Sequence, residues 1–302
     1  MLAGPVLYGP AAGHHVVAVL GSVIGNVGER GLLLTFPCLE ALLQAAPAEA
    51  AAALQPVLLR MLALVLGGKE SGLVVSNALP VLGRLLLAAP AQFVALCAAG
   101  AADGEVAAAV AAGREGIPTE LSPAEAVLWR LLSLWCEQFD SLGQAGARRL
   151  CALALAAGLG LPSRALLGLL DQLLPAITAV WYETEGGGGG FSGEGMPPSY
   201  DYFAGGGLHG CGEEGLMEEV AGPALDSEEA DGECGRRAQL READPAGSLP
   251  VSEALRRGLA AAAALHGPQQ LDAALSRLDE AVAHSVRAAT AVPGQAAGQA
   301  GG

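Results

Sequence analysis

Several places in this chain carry residue types that chemistry could use. Leu66-Gly67-Gly68-Lys69-Glu70-Ser71 has the glycines and the lysine of a phosphate loop. Such a loop also needs an upstream glycine, and a Ser or Thr directly after the lysine to hold magnesium. Glu70 stands in that place and the upstream glycine is missing, which excludes the reading. His209, Cys211 and Cys234 are zinc-type ligands, but structural zinc takes four ligands at tight spacing, so this scattered trio reads as incidental. Glu213-Glu214 and Glu218-Glu219 are paired carboxylates. Acid–base work needs them at a fixed separation, which a glycine-rich stretch does not supply. Trp129, Trp135 and Trp181 could stack on a ligand, yet at helical spacing they read as core. Arg148 and Arg149 could meet a partner's acids. The plainer reading is a solvated helix start, or an internal pair with Asp140. None of the five histidines has a plausible nucleophile beside it in sequence. The expectation is a binding or structural protein, not an enzyme, with no metal and no cofactor.

Composition points the same way. The chain has 302 residues, 52% hydrophobic but only 4% aromatic, and is rich in Ala, Leu and Gly. Unbranched side chains lose little freedom in a helix, so this mix favours helix over strand. The net charge of −15 is uneven, with thirteen acids and no Lys or Arg between Glu183 and Cys234. That stretch would repel a phosphate backbone, which excludes nucleic acid, and would attract basic proteins. Its candidate contact residues are Glu213, Glu214, Glu218, Glu219, Glu228, Glu229, Asp231 and Glu233. The plainer reading is a loop kept soluble by charge.

Four of the six cysteines (Cys38, Cys97, Cys136 and Cys151) sit in apolar helical runs, and there is no C-x-x-C pair. The set fits a reducing compartment and not a disulfide framework. The first residues lack the basic start of a secretory signal. Apolar runs are cut by Arg60, Arg84, Arg130 and Arg164, or by Pro and Gly, below the roughly 20 residues that span a bilayer. Membrane insertion is not expected.

The elements that would position these residues are helices. Residues 1–30 are weakly patterned. Leu32 to Ala46 is apolar, with Pro37 as the expected start of a helix. Gln55 to Leu66 is a second helix with Pro56 in its first turn. Gly72 to Ala88 follows, with a break or kink expected at Pro80, then Ala91 to Ala101 and a short segment from Glu105 to Ala112. Ser122-Pro123-Ala124-Glu125 is a capping box opening a helix whose stripe is Leu128, Leu131, Leu132, Trp135 and Phe139. A second helix runs near Gln144 to Ala157, and Pro162 and Ser163 open a third that reaches Trp181. Residues 183–247 hold five consecutive glycines, Gly186 to Gly190, and many acids. Such a stretch buries too little apolar surface to offset its ordering entropy, so disorder is expected. Pro250 to Leu265 and Pro268 to Arg287 close the chain as a helical pair, within 248–289, before a flexible tail at 290–302.

Short-turned helices without strand patterning suggest an all-α solenoid of HEAT-type helical pairs, with a disordered acidic glycine-rich insertion. A closed helical bundle is the competing architecture and shares the same periodicity.

Residues 128–159, LWRLLSLWCEQFDSLGQAGARRLCALALAAGL, resemble the late repeats of importin-β (karyopherin-β) nuclear transport receptors, most closely the importin-eleven type. Leu54 to Leu87, with its Gly83-Arg84 step, is similar to the repeats before them. Arg241-Glu242-Ala243-Asp244-Pro245 with Ser248-Leu249 resembles the family's return into its last helices. The resemblance covers roughly residues 31–288, and an acidic loop before the last helices is also a feature of that receptor type. It implies the C-terminal, cargo-binding part of a nuclear import receptor. It implies protein cargo, basic by the charge argument above, and release by Ran-GTP through N-terminal repeats that lie outside this stretch. Contact with nuclear pore proteins and shuttling between cytoplasm and nucleus, transiently at the nuclear envelope, follow from the same likeness. A helical-repeat scaffold unrelated to transport is the alternative. An array whose first face is uncovered exposes apolar surface, so poor solubility is expected unless residues 1–30 cover it.

Overall fold

The computed structural model describes residues 10–186 and 244–291. Among the described residues there are fourteen α-helices and no strand. They are α1 (Pro10–Val23), α2 (Glu29–Ala45), α3 (Pro47–Ala53), α4 (Gln55–Leu66), α5 (Gly72–Ala88), α6 (Pro90–Ala102) and α7 (Gly104–Ala112). After a loop come α8 (Pro123–Glu137), α9 (Ala145–Gly158) and α10 (Leu170–Trp181). The last four are α11 (Pro245–Ser248), α12 (Val251–His266), α13 (Pro268–Leu275) and α14 (Glu280–Thr290). Tight 3-10 turns occupy Phe139–Ser141 and Arg164–Gly168, and a π turn occupies Tyr182–Gly186.

The helices stack in two rows. The first row is α2, α5, α9, α12, each packed on the next. The second is α1, α4, α6, α8, α10, α14 in that order. The first-row helices all run the same way. Glu29 and Glu40 of α2 meet Ser71, the cap of α5, and Arg84 within α5 in the same sequence order. Gly83 and Leu86 of α5 face Ala154 and Gly158 of α9, and Gly258 of α12 lies on the backbone of Ala156. A side chain at 258 would overlap the Ala156 carbonyl, so glycine there sets how closely α9 and α12 approach. Strong contacts join neighbours along and between the rows, the pattern of a helical-repeat solenoid and not of a closed ring. One apolar core runs from Ile24 to Ala289, on both sides of residues 187–243. The array therefore continues from α9 and α10 into α12 and α14.

Several sequence expectations shift. The second helix begins at Glu29, not at Pro37, and α5 runs unbroken through Pro80. Twelve of the seventeen α5 residues are buried, so packing outweighs the one backbone bond that proline removes. Pro162 and Ser163 open only a 3-10 turn, capped by Ser163, and the α-helix starts at Leu170. The closing helix expected over 268–287 is two helices. Asp279 accepts from the Ala281 N–H at 2.8 Å and starts α14 afresh, an N-cap hidden among polar residues. Within the weakly patterned start, α1 covers α4, with Val17, Leu20 and Val27 packed on the core and Ile24 buried. No single helix among the described residues is long and apolar enough to cross a membrane.

The capping box forms as read. The Glu125 N–H donates to the Ser122 hydroxyl at 3.3 Å, and the Ser122 N–H donates to Glu125 Oε2 at 3.1 Å. Ser163 adds a hydroxyl to Glu125 Oε1 at 2.9 Å, tying the turn before α10 to the start of α8. The Ser122 hydroxyl, followed by the Ser122 N–H, Ser163 and the Arg164 N–H, holds the Glu125 carboxyl below its usual range against a smaller opposing effect of burial. A lowered carboxylate pKa gives stability that is present above the unfolded value of about 4.3 and lost as pH falls through the folded value. Ser122→Ala is expected to cost about 1 kcal/mol in urea unfolding at pH 7. The difference from wild type should shrink as pH falls below about 4.3, where the unfolded chain takes up the proton first, and vanish only below the lowered folded value, where Glu125 is protonated in both states. A difference independent of pH would contradict the assignment.

Candidate functional site

Residues Asp244 to Pro250 form a strap laid across the first row. Its polar contacts come from three consecutive helices. Arg84 of α5 donates from Nη1 to Asp244 Oδ1 at 2.5 Å and from Nη2 to Glu40 Oε1 of α2 at 2.9 Å. Gln44 of α2 donates to Asp244 Oδ2 at 3.0 Å. Asp244 turns the strap by accepting the Ala246 N–H on Oδ1 at 2.9 Å. Arg149 of α9 then donates from Nε to the Ala246 carbonyl and from Nη2 to the Leu249 carbonyl, each at 3.0 Å.

The centre of this network is buried, while Glu40, Gln44 and Arg149 are half-buried at its edge. Arg84 is 5% exposed and Asp244 7%. Burial alone would lower the Arg84 pKa, but Glu40 and Asp244 outweigh it and raise it further. The guanidinium is therefore a permanent cation, and removing its acids would leave a buried charge unpaired. Among the described residues Arg84 Nε has no partner.

The other end of the acidic stretch is held too. Arg148 donates from Nη2 to Glu183 Oε1 at 2.7 Å, lies over the Phe139 ring at 5.2 Å, and sits 3.9 Å from Asp140. The Glu185 carboxylate accepts the Val251 and Ser252 N–H groups at 2.5 and 3.2 Å, closing the first turn of α12. Residues 183–186 and 244–247, assigned by sequence to the insertion, are thus bonded into the array. The arginines weighed as partner contacts, Arg148 and Arg149, are taken up internally.

The eight acids expected to meet a partner, Glu213, Glu214, Glu218, Glu219, Glu228, Glu229, Asp231 and Glu233, lie outside the described residues, as do His209, Cys211, Cys234 and most of the stretch expected to be disordered. Trp129 and Trp135 are buried core residues, while Trp181 is half-buried at the π turn. Gly83 makes room for the Trp135 ring, which would stand 3.3 Å from a Cβ there. The glycines and lysine at 67–69 punctuate helices. Gly68 is left-handed at φ 65°, and Ser71 caps α5. Burial pushes the Cys97 and Cys136 thiols up to about 12, and Cys151 higher still. Among the described residues no three His, Cys, Asp or Glu side chains gather as metal ligands. On the second row, a groove of about 800 Å³ between α1, α4 and α7 is lined by Arg60, Lys69, Glu70 and Glu105 over a small-residue floor.

What these elements build is a stack of helices with a polar strap, and comparison with known families agrees. The family model described as "Importin-11-like, TPR repeats" matches residues 1–291. The chain belongs to the importin-11-like family. No curated protein and no solved structure matches it. The family description names TPR repeats where the spacing suggested HEAT. Both are helical-hairpin repeats that stack into solenoids. The matched stretch includes the strap and both arginines, Arg84 and Arg149.

Arg84→Met removes the cation and leaves Glu40 and Asp244 facing each other with little water. The expected loss is about 3–5 kcal/mol in chemical denaturation at pH 7. A loss below about 1 kcal/mol, the range of exposed pairs, would show that the network is solvated.

Proposed function

We propose that this chain supplies part of the cargo surface of a nuclear import receptor, with the acidic stretch between Glu183 and Cys234 as the contact for basic cargo. The family match over residues 1–291 carries this reading. The charge pattern supports it, because the stretch carries thirteen acids and no Lys or Arg, and eleven of them remain beyond Glu183, held by Arg148, and Glu185, held at the start of α12, as a local attractor for lysine-rich segments. The protein acts by binding and not by catalysis. In this reading it shuttles between cytoplasm and nucleus. Ran-GTP releases the cargo through other repeats, and nuclear pore proteins are contacted during passage.

The geometry of the strap dictates how to test the acidic stretch. Glu185 touches the start of α12, whereas Asp244 sits on α5, two first-row helices away. At about 8–10 Å per helix the ends are separated by roughly 20 Å. A Gly-Ser linker of about 12 residues replacing 187–243 covers that span, because an extended residue reaches about 3.3 Å. This replacement should leave the melting temperature unchanged and weaken binding of a basic import-signal peptide by about tenfold or more at low salt. Unchanged affinity would remove the acidic stretch from the cargo site. Tight binding of Ran-GTP by this chain alone would place the Ran contact here and contradict the division of labour.

A further inference from the structure

The strap is a peptide read by the array, and the reading uses features that any peptide could offer. Arg84 and Gln44 take the two oxygens of one carboxylate. Arg149 takes two main-chain carbonyls, three residues apart. Of the strap's described side chains only Ala246 enters the core, with Leu249 packed at its margin. The helices beneath do not depend on the strap to meet, since α2 packs directly on α5 and α5 directly on α9. Among the described residues the strap also leaves the site short of one acceptor, because Arg84 Nε is buried without a partner there in a side chain that is 5% exposed. A segment held mainly by polar bonds, with one small side chain in the core, is suited to local opening.

We propose that residues 244–249 are a self-ligand, and that the surface of α2, α5 and α9 beneath them takes an acidic peptide segment of another protein in trans. The segment it fits has an aspartate or glutamate for Arg84, a small residue at the Ala246 position, and an extended or turning backbone whose carbonyls reach Arg149. A carboxylate that engages Nε as well as Nη1 would satisfy the donor that Asp244 leaves open, in the bidentate geometry arginine favours. This site is distinct from the acidic stretch and opposite to it in charge, so its partner is acidic where the proposed cargo is basic. In the resting chain the tethered strap competes at an effective concentration on the order of millimolar, so a free peptide is held off until the strap is displaced.

The test uses the full chain and a labelled synthetic peptide of residues 241–250, READPAGSLP. Asp244→Ala loosens the strap while Glu40 still pairs Arg84. This variant should bind the peptide at least about tenfold more tightly than wild type does. The same peptide carrying Asp244→Asn should not bind. A folded Asp244→Ala chain that ignores the peptide overturns the proposal, as does equal binding of the Asn peptide. Should that variant fail to fold, hydrogen exchange on wild type decides. The Ala246 and Ser248 amides are expected to exchange by local opening, faster than the core amides of α5 and α9. Exchange of these amides only with global unfolding would make the strap a fixed part of the core and overturn the self-ligand.

Discussion

One buried cation organises the junction of this array. Arg84 sits where α2, α5 and the strap meet, and it binds an acid from each side of a long sequence gap, Glu40 before it and Asp244 after it. Because a guanidinium does not give up its proton, losing both carboxylates would strand a charge. With the strap seated, the return of the chain at Asp244 is fixed in place and direction. Arg149 catches the strap next, Glu185 caps α12, and Gly258 lets α12 close on α9. Polar contacts fix the register in which the apolar surfaces of the last helices complete the rows.

The two kinds of interaction do different work. Burial of leucine, alanine and valine along both rows supplies cohesion, but it is non-directional and tolerates sliding. The Arg84 and Arg149 contacts are directional and specify one alignment. Parallel first-row helices follow from this division, since each layer repeats the same apolar facing. The junction across 187–243 draws most on polar specification, because there chain connectivity gives little guidance.

Much of this was legible in the sequence. The capping box at Ser122 and Glu125 states its own geometry, and α4 is bounded as its proline and glycines say. The stripe from Leu128 to Phe139 faces the core because its spacing leaves no other choice. What failed were places where tertiary packing overrides a local rule. Pro37 and Pro80 are strong breakers alone, yet each lies inside a continuous helix buried against neighbours. Asp279 starts a helix that periodicity had merged with the one before it. The site was the least legible part. Gly83-Arg84, Arg148-Arg149 and Asp244-Pro245 stood out as separate weak likenesses, but nothing in one sequence says that Arg84 and Asp244, 160 positions apart, are bonded. A lone arginine inside an otherwise uncharged helix was the available signal, since such a charge is rarely buried without a partner.

The central claim is that one helical array continues across residues 187–243, held by the Arg84 junction. It is tested most directly by inserting a specific protease site between Gly206 and Gly207, cutting the folded protein, and following both fragments through gel filtration and thermal melting. Continuity predicts that the fragments elute together and melt in a single transition, and that Arg84→Met promotes their separation. Fragments that separate freely at neutral pH, leaving residues 10–186 with an unchanged melt, would contradict it.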